Sequence, residues 1–413
     1  MSKIILPGFE IIDDSQGGSI NIKSLSTSEE VQLKDNGDID SSVGLDAEKF
    51  NGGTQSDFVK LSPSFSVGVD FTAGPEPNEA GALQRQFIGS TLLPPPDGRV
   101  VFTPHESGNV GLFDPSDETY TSGPAHNEGS AAFGGSVLAP DGRVVFQPAN
   151  SANIGIFDPS DDSYTSGPAY GSGSSPNDSN APTRLKDGRI IFNDDANGDG
   201  DLVIKIFDYT DDSLTNGPSV TDEFWKTIGR VPDGRVFYAA GDTYVGIFDP
   251  TDDSFTTQEV DFSNASTFSV VSPRAGVVLP DGQLLLIPIT PTAPFSKLDP
   301  ETLEITELTA TPKDNLPPEE SNGANGEFID GQVLPDGRIF LVPLKSEVTA
   351  IYDPVRDETV PGPKVKPYQN TTQYYGSSTI LQDGRVILTP AVRDSVDVVY
   401  QPLSNVLSNS GNY

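Results

Sequence analysis

The chain has 413 residues, 25 Lys and Arg against 60 Asp and Glu, and a formal net charge of −35. A surface this acidic repels phosphates and argues against nucleic-acid binding. With no Cys, disulfides, thiolate metal sites and cysteine nucleophiles are excluded, and two His (His105, His126) argue against a histidine-built metal centre or triad. No apolar run approaches the roughly 18–20 residues needed to cross a bilayer, so membrane insertion is not expected. The start, Met1 to Gly8, is too short in apolar residues for a secretory core segment. The 41 Gly and 36 Pro suit an all-β chain with many tight turns.

In chain order, residues 1–66 come first. Ser19–Ile22 and Glu30–Lys34 read as short strands between Asp, Gly and Ser turns. Next stands Leu45-Asp46-Ala47-Glu48-Lys49-Phe50-Asn51-Gly52-Gly53-Thr54-Gln55-Ser56-Asp57-Phe58-Val59. This resembles a motif of bacteriophage tail fibres and other virion fibres, Asp-Ala-x-x-Leu-(Asp/Asn)-Gly-x-x-x-Ser-x-Phe-Leu. Asp46, Ala47, Asn51, Gly52, Ser56 and Phe58 match, while Phe50 and Val59 replace the two Leu. The resemblance implies a short anchoring module on a virion.

From residue 67 the chain repeats. Asp-Gly-Arg begins at Asp97, Asp141, Asp187, Asp233, Asp336 and Asp383, with Asp-Gly-Gln at Asp281. A second element follows each: Phe113-Asp114-Pro115, Phe157-Asp158-Pro159, Phe207-Asp208-Tyr209, Phe248-Asp249-Pro250, Leu298-Asp299-Pro300, Tyr352-Asp353-Pro354 and a degraded Tyr400-Gln401-Pro402. One unit decodes as strands Gly135–Ala139, Arg143–Gln147, Ile154–Phe157 and Ser163–Ser166. Asp-Gly, here read as a type I′ turn, joins the first two, and Gly167-Pro168 stops the last. Four antiparallel strands in about 45 residues make a propeller blade. Seven registers resemble a seven-bladed β-propeller of the kelch-like kind, without the kelch Gly-Gly and Trp signature. Residues 67–74 resemble a fourth strand and are expected to complete the last blade, closing the ring.

The first–second and third–fourth turns share one face and repeat closely. The other face holds loops of unequal length and content, where binding residues tend to sit. Its candidate ligand-binding residues are His126, Tyr170, Phe224, Trp225, Tyr368, Tyr374 and Tyr375, whose rings can stack on sugars or anchor a protein. The repeated Arg of Asp-Gly-Arg reads as half of an ion pair between hairpins. Asp195-Ala196-Asn197-Gly198-Asp199-Gly200-Asp201 fits the first half of a calcium loop, with Asp195, Asn197, Asp199 and Asp201 as candidate ligands of a structural Ca²⁺. Ile206 stands where the bidentate Glu of a complete loop would be.

The expectation from sequence is therefore a non-enzymatic virion structural protein: a tail fibre, spike head or capsid decoration. Residues 1–66 would bind other virion proteins, and the propeller of 67–413 would bind host surface glycan or a neighbouring virion protein, as a homo-oligomer within an assembly. One rival is a propeller hydrolase or lyase acting on polysaccharide, with Asp222, Glu223 and Glu327 as loop carboxylates. Another is a cellular protein-interaction propeller.

Overall fold

The computed structural model describes residues 2–6, 9–14, 19–24, 30–33, 71–73, 85–171, 182–195, 202–220, 225–240, 244–260, 275–288, 290–316, 328–344, 346, 348–365, 375–391 and 397–399. The chain divides into two compact units: Met1–Gly68 with Pro402–Tyr413, and Val69–Gln401. The second unit is thus narrower at its C-terminal end than 67–413. In the first unit, Ser2–Leu6, Phe9–Asp14, Ser19–Ser24 and Glu30–Leu33 form an antiparallel meander. Sequence had marked only the last two of these strands. The fibre-like stretch 45–59 lies outside the described residues.

The second unit is built of four-stranded antiparallel blades. Six are continuous in the chain, against the seven expected, and begin at Phe87, Phe133, Thr183, Trp225, Ala275 and Phe328. They are numbered 1 to 6 below. A further sheet is composite: Tyr375–Ile380, Val386–Pro390 and Asp397–Val399 are completed by Phe71–Ala73, with Asp397 opposite Ala73 and Val399 opposite Phe71. In each sheet the first strand is innermost, and first strands of most neighbouring sheets touch one another.

Blade 2 shows why these residues form these strands. Its second strand, Val144–Pro148, is buried at every residue because both faces of a middle strand pack against neighbouring sheets. That is the reason it reads Val-Val-Phe rather than alternating. Phe133, Phe146 and Phe157, one from each of the three inner strands, are fully buried, with the Phe133 and Phe146 rings 5.4 Å apart. Phe87, Phe102 and Phe113 repeat the arrangement in blade 1. Each such ring contributes about 1.5–3 kcal/mol on burial.

Two local readings are corrected. The Pro-Asp-Gly turn is not type I′: Gly142 has φ +93° but Asp141 is not left-handed, and the Gly142 N–H donates to the Ala139 carbonyl. Pro140 holds φ near −65°, so the chain makes a type I turn followed by a left-handed Gly. Gly167-Pro168 does not stop the fourth strand either. Ser163–Ala169 runs through it with a register shift opposite Asn153/Gly155. As an edge strand it needs no N–H from Pro168 on its outer side. A Cβ on Gly167 would sit 3.1 Å from the Ile154 carbonyl oxygen, closer than a side chain ordinarily comes, so glycine suits the approach.

The repeated arginines pass from blade to blade. Arg143 grips Asp141 of its own turn through Nε at 2.7 Å. It then reaches blade 3, where its terminal nitrogens donate to both oxygens of Asp212, at 2.8 and 3.1 Å, and to the Tyr209 carbonyl at 2.9 Å. Arg99 reaches Asp162, Arg189 reaches Asp253, and Arg235 reaches Glu301 in the same manner. Arg385, in the composite sheet, reaches Glu118 and the Pro115 carbonyl of blade 1, joining the two ends of the repeat. The acceptors Glu118, Asp162, Asp212 and Asp253 all have φ between +54° and +58°, which turns their side chains back to the arriving guanidinium. Gln283 stands at this place in blade 5. There Asp357 of blade 6 accepts instead from the Thr309 N–H and hydroxyl, both at 2.7 Å.

Inner seams between blades come in two kinds. Ser90 bonds Thr379 (2.6 Å) and Thr389 (2.7 Å) across one seam, and Ser136 bonds Thr91 (2.8 Å) and Thr103 (2.7 Å) across the next. Gln147 donates to the Asn193 carbonyl and Asn193 to Thr227. Between blades 4 and 5 and between blades 5 and 6 the seams are glycine against aliphatic: a Cβ on Gly276 would lie 2.1 Å from Ile228, and one on Gly331 2.6 Å from Ile287.

Two outcomes are expected. Arg143→Ala and Arg143→Lys should both lower stability by about 1 kcal/mol in urea unfolding, because Lys keeps the charge but loses the two-pronged grip. Acid should unfold the ring. The Arg99 guanidinium holds Asp97 below the usual 3.8, as the hydroxyls of Ser160, Thr210 and Thr251 do for Asp158, Asp208 and Asp249. A carboxyl lowered in the folded state stabilises fully above its unfolded value, and that share is lost as pH falls below about 4. A flat melting temperature between pH 5 and 3 would contradict this.

Candidate functional site

The variable face is built from loops joining second to third strands and each blade to the next. His126 lies in one of them and is buried, not displayed. Its Nδ1 accepts from the Glu128 N–H at 3.0 Å, which leaves Nε2–H to donate to the Ser107 carbonyl at 2.7 Å. Its ring meets Phe133 edge-on at 5.5 Å. Glu128 in turn accepts from Ser151 and from the Tyr164 hydroxyl, whose pKa burial and that carboxylate push up. His105 Nδ1 lies 2.8 Å from the Phe133 carbonyl, so both histidines of the chain brace the start of blade 2.

Tyr170 is buried too, at 4% exposure. Its ring meets Phe192 edge-on at 6.0 Å, and Lys205 Nζ sits 4.1 Å from its centroid while donating to its carbonyl oxygen. Lys205 also pairs with Asp194 at 2.9 Å, both side chains nearly sealed from solvent. Burial first, then the charge of Asp194, pushes the Tyr170 hydroxyl well up. Tyr375, the first residue of the composite sheet, is fully buried. These three candidates therefore plug the gaps between blades and present no ring face to a ligand.

Trp225 opens the first strand of blade 4, and Asp195 ends the strand Ile190–Asp195; their side chains lie outside the described residues. Phe224, Tyr368 and Tyr374, and Asn197, Asp199 and Asp201 of the calcium-like loop, lie outside them entirely, as do Asp222, Glu223 and Glu327. Among the described residues no three His, Asp or Glu side chains come together as a metal site.

The Asp194–Lys205 pair escaped the sequence reading. Its signal was a single Lys in the apolar run Leu202–Phe207. Asp330 escaped it too. This residue lies on the innermost strand of blade 6, Phe328–Val333, opposite Val342, and is half-buried. Gly89, Gly135 and Ala275 hold the same register place in blades 1, 2 and 5. Asp330 accepts from the N–H of Gly331 at 2.8 Å and from the Gln332 side chain at 3.3 Å. Burial, with no cation beside it among the described residues, pushes its carboxyl up to about 6.

No known family model matches the chain, and no curated protein does. Solved structures do. Virginiamycin B lyase from Staphylococcus aureus, in a catalytically inactive form with quinupristin, is 13% identical with TM-score 0.59, covering 80% of this chain and 99% of its own. A streptogramin B lyase is 15% identical with TM-score 0.58, covering 81% and 98%. A fungal alcohol oxidase of the AA5 family, in complex with copper, is 14% identical with TM-score 0.55, covering 81% and 76%. At these identities the likeness defines the fold alone: the chain carries an all-β propeller of four-stranded blades.

The Asp194–Lys205 pair yields a test. Lys205→Met leaves a buried carboxylate uncompensated and should cost about 3–5 kcal/mol in urea unfolding, whereas Lys205→Met with Asp194→Leu should recover most of it.

Proposed function

We propose that the chain is a particle-borne display propeller: a virion structural protein whose variable face binds host surface glycan or a neighbouring virion protein. In this reading the composite sheet is the seventh blade of a kelch-like ring. The carrying observation is the contrast between the faces. One is locked by the same arginine contact in blade after blade. The other holds loops that differ in every blade, the usual place for recognition. The match at Asp46, Ala47, Asn51, Gly52, Ser56 and Phe58 to the virion-fibre motif supports attachment through the N-terminal unit. The fold neighbours are enzymes by their descriptions, and a likeness of fold does not transfer a reaction.

Gold-tagged antibody against residues 69–401 should label particles, at tail or fibre tips for an adsorption role and over the head for decoration. Absence of label from every particle would overturn the proposal in favour of a cellular interaction propeller. The loop 195–201 is proposed to take a structural Ca²⁺. Millimolar calcium should then raise the melting temperature over a chelated sample, and Asp199→Asn should abolish that rise.

A further inference from the structure

Blade 5 breaks the arginine pattern of the uniform face, and a cleft stands at the break. In the six Asp-Gly-Arg turns the arginine pairs with the aspartate of its own turn. In blades 2, 3 and 4 it also lies near the first aspartate of its blade's second hairpin turn. After the hydroxyl and N–H groups of that turn, its charge acts on Asp158, Asp208 and Asp249. Blade 5 keeps both aspartates, Asp281 and Asp299, but has Gln283 in place of the arginine. Asp281 accepts the Gln283 N–H at 3.0 Å, and Asp299 accepts the N–H groups of Glu301 and Thr302 at 2.8 and 3.0 Å. The Gln283 amide, shorter and uncharged, turns to Asp299. Neither carboxylate has an ion pair among the described residues.

Between the two hairpin turns of blade 5 and the turn 231–233 of blade 4 lies an open cleft of about 440 Å³, a size suited to a small ligand. Asp233, Asp281, Asp299 and Glu301 all line it. Arg235 pairs with Asp233 and Glu301, which leaves Asp281 and Asp299 without a cation. Asp281 is exposed and Asp299 partly so, and both are within reach from solvent. Pro232 and Pro300 add apolar walls along which an aliphatic stem can lie. A cluster of acids alone would name no ligand. The sister blades name it, because blades 2, 3 and 4 place a guanidinium beside these same two positions.

We infer that this cleft is a seat for an arginine side chain presented by a partner protein. Its guanidinium takes the place of the missing arginine and donates to Asp281 and Asp299. Lysine suits the seat less, because a point charge lacks the planar fork that serves two carboxylates at once. Free arginine also suits it less, since its own carboxylate would meet those of the cleft.

The test is a ligand-observed NMR titration of the full chain with the capped tripeptide Gly-Arg-Gly, its lysine counterpart and free arginine. One side chain in an open cleft should bind with Kd on the order of 1 mM. The arginine tripeptide should bind about fivefold more tightly than either other probe. Gln283→Arg installs the residue of the sister turns and fills the seat from within. It should keep or raise the melting temperature and abolish binding. Asp281→Asn should keep the melting temperature and weaken binding severalfold. Equal binding of the lysine tripeptide, wild-type binding by Gln283→Arg, or no binding of the arginine tripeptide up to about 10 mM would each overturn the inference. The cleft lies on the locked face, so the outcome is independent of where gold-tagged antibody finds the protein.

Discussion

The propeller depends on a contact that five of its sheets make with the next. An arginine leaving one Pro-Asp-Gly turn is fixed first by the aspartate of its own turn, then by a left-handed acidic residue on the following blade. The first grip matters as much as the second. It orders a long side chain before the inter-blade bond forms, so less entropy is lost in making that bond. Each such contact is modest on a solvent-facing rim. Repeated around the ring, and joined from Arg385 to Glu118, it makes the blades' relative positions a collective property.

Inner seams solve the same problem with other chemistry. Where Ser and Thr face one another, short hydroxyl bonds set the distance; where Gly faces Ile, close van der Waals approach sets it. Both bring neighbouring sheets to a fixed separation, and this explains how strongly diverged blades share one ring. Asp330 matters because it fits neither solution.

Much of this was legible in the sequence, because turns repeat under strict backbone demands. Asp-Gly-Arg and Phe-Asp-Pro mark the two hairpins of each blade, and the paired role of the arginine followed from an acidic turn on the same face. The turn type was misread because Asp-Gly was weighed without the Pro before it, which fixes φ. The aromatic candidates misled for a different reason. His126, Tyr170 and Tyr375 lie at the ends of loops in sequence, but a propeller's wedge-shaped gaps need large rings there as filling. Loop position alone cannot separate a ring that fills from a ring that binds. Asp330 was missed because its oddity appears only when strands are placed in register. By sequence it stands in a short stretch, Phe328-Ile329-Asp330-Gly331, with nothing to mark it.

The composite sheet has a mechanical consequence. Phe71 lies opposite Val399 and Ala73 opposite Asp397, so the chain enters and leaves this pair at the same end. Tension between those two points would load the hydrogen bonds one after another, as in a zipper, rather than all together in shear. Three registered pairs are all that the strand Phe71–Ala73 offers. A ring that holds firmly at rest against heat or denaturant would therefore open first, under pull, where its beginning meets its end.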